Sequence, residues 1–177
     1  MLTHDDNLIL QTWYTTILIH ELRRSDFINS SAFESMDFEL PFIKHEIRSL
    51  NVDNQGSALM ALYAMLVVPR EIIKKRYSDE YDDLNIFLES VTYDTHSDYA
   101  NDSKKVNFFR HIRNAVAHAR VEFEPDKYVT FFDTDTRNNN QFETKLPLKN
   151  LGDFIGRLQK LHVRYVTERT KKIQNGS

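Results

Sequence analysis

The 177-residue sequence contains no cysteine, and this absence removes several kinds of chemistry. Disulfide bonds, thiolate zinc sites and cysteine nucleophiles are all excluded. A chain without cysteine is also compatible with a reducing compartment such as the cytosol. The sequence has no apolar run near the roughly 20 residues that a membrane-spanning helix needs. Its first ten residues carry acids where a signal peptide would carry lysines, so we expect a cytoplasmic protein without membrane partners.

Glycine and proline are scarce, with four of each. Few turn-forming residues favour long helices over a turn-rich all-β fold. The chain is 41% hydrophobic and includes 12 phenylalanines, which is enough to build a core. A length of 177 residues fits one domain.

Charge is unevenly distributed along a chain whose net charge is only −3. Residues 78–102 include eight acids and no lysine or arginine, whereas residues 103–120 include five basic residues and no acid. The last helical segment adds further basic residues. Two interpretations follow: a locally basic surface for a phosphate-bearing partner, or acidic and basic helices that complement each other inside the fold.

Hydrophobic periodicity predicts a mostly α protein, a bundle of about five helices with a small β-hairpin before the last helix. Helical patterns cover 5–24, 38–50, 57–77, 79–91, 103–120 and 148–172. Alternating residues in 121–146 predict a hairpin or a three-stranded meander. Polar segments 25–37 and 92–102 are predicted to be connections, the first with at most a helical turn. We therefore expect a single domain over 1–172, with 121–146 as an insertion and 173–177 as a frayed tail.

The segment 103–120 carries the most informative helical pattern. At 100° per residue, the apolar side chains fall on one side of the wheel: Phe108, Phe109, Ile112, Ala115, Val116 and Ala119. The polar side collects guanidinium, amide and imidazole groups from Arg110, His111, Arg113, Asn114 and His118. We expect the first set to pack into the core and the second to carry chemistry.

Other possible motifs are incomplete. His20-Glu21 and His45-Glu46 begin like a helical zinc motif, but the residue four positions after each histidine is Arg24 or Ser49, so no second imidazole is available. A calcium-like start at Asp133 lacks the later glycine and glutamate. Glycine-rich phosphate or dinucleotide motifs are missing. We therefore predict no metal and no cofactor.

The run Arg113-Asn114-Ala115-Val116-Ala117-His118 resembles the Rx4–6H signature of the HEPN superfamily (higher eukaryotes and prokaryotes nucleotide-binding). In this signature an arginine is followed by a polar residue and then by a histidine near a helix end. The resemblance implies an all-α bundle with the signature on a late helix. It assigns Arg113, Asn114 and His118 as catalytic candidates.

These residue types suit RNA cleavage by attack of a 2′-hydroxyl on the neighbouring phosphate. Histidine can donate or accept a proton near neutral pH, and arginine can hold the phosphate and neutralise its growing charge. Arg113 and His118 lie about 140° apart on a straight helix. Either the helix ends near His118, or a two-fold homodimer places two copies of the motif around one cleft. HEPN ribonucleases resemble the second case, which we adopt.

The resemblance implies a metal-independent endoribonuclease that acts as a toxin or phage-defence effector, whose partners are RNA and an antitoxin or regulatory protein. Arg110, His111 and Arg120 are further candidates for RNA contact. The alternatives are a non-catalytic HEPN module that binds a nucleotide or a partner protein, and a helical scaffold. In a purely structural role, His118 would bond a backbone carbonyl or stabilise a helix end, and Arg113 would pair with an acid from 79–102.

Overall fold

The fold was obtained as a computed structural model, which describes residues 2–52, 54–69 and 71–174, with side chains up to Lys171. The helices are α1 (His4–Arg24), α2 (Ser31–Glu34), α3 (Pro41–Leu50), α4 (Gln55–Leu62), α5 (Ile72–Arg76), α6 (Ser78–Val91), α7 (Phe108–Ala117) and α8 (Leu148–Gln174). The strands are β1 (Tyr93–Ser97), β2 (Val121–Glu124), β3 (Tyr128–Asp135) and β4 (Asn140–Pro147). The prediction of a mostly helical protein is confirmed.

Helix α1 begins with the capping box that its sequence predicts. The Thr3 hydroxyl accepts the Asp6 amide at 3.1 Å, and the Asp6 carboxylate accepts the Thr3 amide at 3.0 Å. This reciprocal pair satisfies two amides that a helix start leaves without partners. Leu10 and Trp13 point into the core, but Leu18 is exposed, so the buried face of α1 is narrower than its apolar spacing predicts.

The most apolar segment, 57–77, contains Pro69, which predicts a kink or a new helix at that point, and the structure interrupts the helix there. Helix α4 runs into a π-helical turn over Tyr63–Val67, in which the Val68 amide bonds to the Tyr63 carbonyl at 3.2 Å. The turn after it leads to α5. His162 of α8 donates from Nε2 to the Met65 carbonyl of this π turn at 3.0 Å. Burial lowers the pKa of His162 to about 4, so this imidazole is neutral at pH 7.

Helix α3, predicted over 38–50, forms over Pro41–Leu50, and none of its residues is buried. Phe42 and Leu50 are each 62% exposed. The periodicity of the sequence therefore identifies the helix correctly, whereas the described part of the fold leaves its apolar face mostly uncovered.

The β structure is larger than the predicted hairpin or three-stranded meander. All four strands form one antiparallel sheet in the order β1-β4-β3-β2. The prediction that 92–102 is only a connection is wrong, because β1 lies within it. Four of the five residues of β1 are exposed at the edge of the sheet, and a polar edge strand lacks the apolar alternation that reveals a half-buried strand.

One face of the sheet packs against the helices and completes the core. Its inward side chains include Val129, Phe131, Phe142 and Leu146, which join apolar residues of α6, α7 and α8. Acidic α6 and basic α8 are linked by the Glu80–Arg164 ion pair at 2.5 Å. This pair supports the interpretation that the two charged helices complement each other.

Helix α8 continues beyond the predicted limit at 172 and reaches Gln174. The rest of the predicted frayed tail, 175–177, lies outside the described residues. Within the described residues, every helix is too short or too polar to cross a membrane.

Candidate active site on helix α7

The helix that carries the signature is shorter than predicted, beginning at Phe108 instead of near Ser103. Asn107 is its N-cap, and the Asn107 side chain accepts the Arg110 amide at 3.0 Å. The Asn107 amide in turn bonds to the Asp102 carboxylate at 3.2 Å. These local side-chain bonds compete with helical ones, which explains why 103–107 stays outside the helix.

The other end of α7 is a Schellman motif. His118 is the C-cap, and Ala119 follows with a positive φ of 52°. The Ala119 amide bonds to the Val116 carbonyl at 3.2 Å, and the Arg120 amide bonds to the Ala115 carbonyl at 2.8 Å. The helix therefore stops at the histidine of the signature, and Ala119 is exposed instead of joining the buried face as predicted. The five other residues of the predicted apolar face are buried.

His111 lies on the side of α7 that was predicted to be polar and open, yet it is 0% exposed. Its Nδ1 lies 2.7 Å from Asp133 and its Nε2 lies 2.7 Å from Asp102. The ring stacks on Phe142 with centroids 4.2 Å apart. Strands β3 and β4 and the loop after β1 enclose the ring, and the contact of His111 with RNA stays a prediction.

Both carboxylates beside His111 are ionised at neutral pH. Burial alone would raise the pKa of Asp102, but hydrogen bonds from Ser97 and His111 outweigh burial and lower it. In the same way, His111 and Asn114 lower the pKa of Asp133 against the effect of burial. Each ring nitrogen of His111 therefore faces an ionised carboxylate, and the ring joins the two buried acids.

Arg110 and Arg120 are also engaged by the protein itself. Arg110 lies over the Tyr99 ring at 5.0 Å and places Nη2 3.9 Å from Asp102. Arg120 donates from Nη1 to the Thr134 carbonyl at 3.1 Å. These contacts attach α7 and the residue after its end to the sheet and the β1–α7 loop. The contact of both guanidinium groups with RNA stays a prediction.

Arg113 and Asn114 belong to the same hydrogen-bonded chain. Asn114 donates from Nδ2 to Asp133 at 3.0 Å and accepts at Oδ1 from Arg113 at 3.2 Å. Arg113 also forms an ion pair with Glu71, which lies outside the 79–102 region predicted for a purely structural role. This chain of contacts fixes the Arg113 guanidinium from two sides while leaving its side chain about a quarter exposed.

His118 is the exposed member of the signature. Among the described residues, its ring has neither a hydrogen bond nor an ion pair, and it does not bond the backbone carbonyl predicted for a structural role. Its amide still bonds to the Asn114 carbonyl at 3.1 Å, so helical geometry holds up to this residue. The angular separation of about 140° from Arg113 therefore remains.

Three acids in this network were missed by sequence reasoning: Asp102, Asp133 and Glu71. A signal for Asp133 was present, because it continues the odd-numbered alternation of Val129 and Phe131 that faces the core. An acid on the buried face of a strand usually has a fixed partner. Asp102 and Glu71 lie in irregular segments, where no periodicity indicates direction. Within the described residues, no group of three acids or histidines is arranged to hold a metal ion.

Comparison with protein families decides the relationship. The family model described as HEPN pEK499 p136 matches residues 2–169, nearly the whole chain. The chain belongs to this HEPN family. No curated protein and no solved structure gave a significant match. The HEPN resemblance drawn from six residues is thus confirmed. The HEPN match also runs through all four strands, including the segment 121–146 that was expected to be an insertion.

Proposed function

We propose that this HEPN protein is a metal-independent endoribonuclease whose catalytic residues are Arg113, Asn114 and His118. The observation that carries the proposal is the contrast within α7: His118 is exposed and unpaired among the described residues, at a fixed helix end, while Arg113 is held in place by Asn114 and Glu71. An open imidazole beside a positioned guanidinium suits proton transfer and phosphate binding.

The reaction needs a proton removed from a 2′-hydroxyl and a proton given to the leaving 5′-oxygen. His118 performs one of these transfers. Arg113 binds the non-bridging oxygens and stabilises the charge that grows on phosphorus. Asn114 orients Arg113 through the bond at 3.2 Å. The products are a 2′,3′-cyclic phosphate and a free 5′-hydroxyl, with RNA single strands or loops as substrates.

A two-fold homodimer completes the site in this proposal. Arg113 and His118 point about 140° apart around one helix, so one copy does not aim both groups at a single phosphate. Two copies of α7 related by a two-fold axis bring the Arg113 of one protomer near the His118 of the other. Each dimer then holds two equivalent composite sites.

Cleavage of RNA in EDTA tests the proposal. We expect the wild-type protein to cleave RNA. His118→Ala should lose at least about a hundredfold in rate, as removal of a general acid or base does, and Arg113→Ala should lose about as much, as removal of a group that stabilises transition-state charge does. His45→Ala is the matched control, because His45 is exposed on α3, away from α7. Cleavage that survives both α7 substitutions would contradict the assignment.

Mixing the two inactive variants tests the composite site. A dimer with one Arg113→Ala chain and one His118→Ala chain retains one intact site, so random pairing should restore about a quarter of wild-type activity. No recovery, in a mixture shown to exchange subunits, would place both residues in a site within one chain. A protein that stays monomeric at micromolar concentration would also contradict the dimer.

A role as a toxin or defence effector predicts a cellular phenotype. Expression of the wild-type chain should arrest growth, and the His118→Ala variant should not. Such an activity needs restraint, which we assign to an antitoxin or another regulatory protein. Equal toxicity of both chains would contradict the link between growth arrest and the site.

The Glu71 ion pair favours a second candidate, a non-catalytic HEPN module. Because Arg113 is already paired in the described structure, it can serve the fold and leave the surface to bind a nucleotide or a partner protein. Nucleotide binding without RNA cleavage would support this candidate over the ribonuclease.

A further inference from the structure

A small polar pocket lies between α5, α6 and the start of α7. Its volume is about 150 Å³, room for about five waters at roughly 30 Å³ each. The residues that matter for its chemistry are Lys74, Tyr81, Asp82, Lys105, Asn107 and Phe109. Its lining is more polar than apolar, so it suits a small polar group better than an apolar ligand.

Tyr81 is the unusual member of the pocket. It is only 3% exposed, and its hydroxyl has no hydrogen-bond partner among the described residues, while its ring packs edge-on against Phe109 at 4.6 Å. The side-chain amide of the buried Asn85 beside it is fully used. Its Nδ2 donates to the Val106 carbonyl at 3.0 Å, and its Oδ1 accepts the Phe109 amide at 3.2 Å. The Tyr81 hydroxyl is not fully enclosed by protein, so it is open to bond a group that enters the pocket.

The groups around this hydroxyl are mainly donors. Lys105 has no ion pair within the described part of the chain, and Lys74 has only a long contact of 3.9 Å with Glu71. Burial raises the pKa of Tyr81, with a smaller contribution from the Glu71 carboxylate, so its hydroxyl stays a neutral donor. The one carboxylate in the lining, Asp82, is exposed. Two ammonium groups and a phenol match an oxyanion with several acceptor oxygens, such as a phosphate.

The backbone at the start of α7 adds little to this donor set. The amides of Phe109 and Arg110 are already bonded to the side chains of Asn85 and Asn107. The amide nitrogen of the Asn107 side chain has no bond in the described structure and is a further donor. The pocket therefore binds through side chains that substitutions can remove one by one.

The pocket also lies next to the proposed active site. Phe109, which lines the pocket, precedes Arg113 by one helical turn, roughly 6 Å along the axis and about 40° around it. Glu71 connects the two places, since one of its oxygens pairs with Arg113 and the other lies 3.9 Å from Lys74.

We propose that this pocket binds the RNA phosphate adjacent to the one held by Arg113, through Lys74, Lys105 and the Tyr81 hydroxyl. The inference rests on the proposed ribonuclease function for the identity of the ligand. The proposal that the pocket is an anion site depends only on the geometry of the pocket, so it can be tested by binding without cleavage.

The test compares three variants in binding and in cleavage. Lys105→Ala removes one cation of the pocket, Tyr81→Phe removes only the hydroxyl, and Lys104→Ala is the matched control, because Lys104 is exposed next to Lys105 and lies outside the lining. The binding probe is a short oligonucleotide whose scissile nucleotide is 2′-deoxy, so that it cannot be cleaved. Thermal unfolding checks that each variant folds.

We expect Lys105→Ala to raise Kd about tenfold and to lower the slope of log Kd against log salt by about 0.7, the value for one phosphate contact with a single strand. Tyr81→Phe should raise Kd several-fold, and Lys104→Ala should change it less than twofold. In cleavage assays, Lys105→Ala should raise KM and leave kcat nearly unchanged. Removing the phosphate next to the cleaved bond from the substrate should erase the difference between wild type and Lys105→Ala.

Two failures are distinguishable. If RNA is cleaved but Lys105→Ala and Tyr81→Phe behave like Lys104→Ala, the pocket proposal is wrong and the ribonuclease stands. If RNA is not cleaved while the 2′-deoxy probe still binds through Lys105 and Tyr81, the ribonuclease is wrong and the anion site stands.

Discussion

Two histidines of α7 have opposite environments although the helix points them almost the same way. His111 and His118 are seven residues apart, which leaves them about 20° apart around the axis. His111 is fully buried between two carboxylates, whereas His118 is exposed. The difference comes from what covers the helix: β3, β4 and the β1–α7 loop enclose its first turns, and the Schellman motif turns the chain away at His118. The type of a residue and its angle around the helix therefore do not decide whether its side chain is buried or open to substrate.

The largest expected effect on stability separates these two histidines. His111→Ala leaves the carboxylates of Asp102 and Asp133 buried without the imidazole that lies between them. Removing one partner of a buried charge cluster costs about 3–5 kcal/mol. His118→Ala should change the free energy of unfolding by less than about 0.5 kcal/mol. Urea denaturation followed by circular dichroism measures both, and equal losses would contradict the assigned environments.

The second prediction adds His162, a buried histidine that is neutral. Burial lowers its pKa to about 4 in the folded protein, against about 6.5 when unfolded. The unfolded state therefore binds the proton more tightly between these values. The stabilising effect of the neutral ring is complete above pH 6.5 and is lost as the pH falls toward 4. The loss approaches about 3 kcal/mol.

His162→Gln is the variant that isolates this effect. Glutamine can keep a hydrogen bond to the Met65 carbonyl but does not titrate. Its unfolding free energy should be nearly flat from pH 6.5 to 4. A further fall at lower pH should remain in both proteins, because the pKa values of Asp102 and Asp133 are lowered in the folded state. An unchanged slope in the variant would assign the dependence to other groups.

The sequence predicts the local features behind this contrast, but not those that depend on long-range contacts. The periodicity of 103–120 identified α7, and six residues identified the HEPN family. The helix limits and the burial of His111 depend on long-range partners: Asp133 is 22 residues away, and Phe142 packs on the ring from a neighbouring strand. Edge strand β1, which leads into the loop carrying Asp102, has no apolar alternation. Sequence patterns report local preference, while the cover over a helix face is set by tertiary contacts.

The third prediction concerns Asp133, which joins the buried histidine to the candidate site. Asp133→Asn keeps an acceptor for Asn114 but removes the charge opposite His111. We expect a loss of about 1.5–3 kcal/mol, the usual size of a hydrogen bond to a charged group. Asp126→Asn is the control, because Asp126 is exposed and asparagine tolerates its φ of 60°. A loss no larger than that of the control would remove Asp133 from the network.

The smallest expected effect lies at the residue that ends α7. Ala119 occupies the left-handed C′ position with φ 52°, where a side chain is strained and glycine is preferred. Ala119→Gly should therefore stabilise the protein by about 1 kcal/mol. Ala117→Gly, two residues earlier and still helical, should destabilise it by about 0.5–1 kcal/mol. The same substitution thus has opposite signs at neighbouring exposed alanines. Thermal or urea unfolding measures this difference, and equal signs would show that the helix does not end at His118.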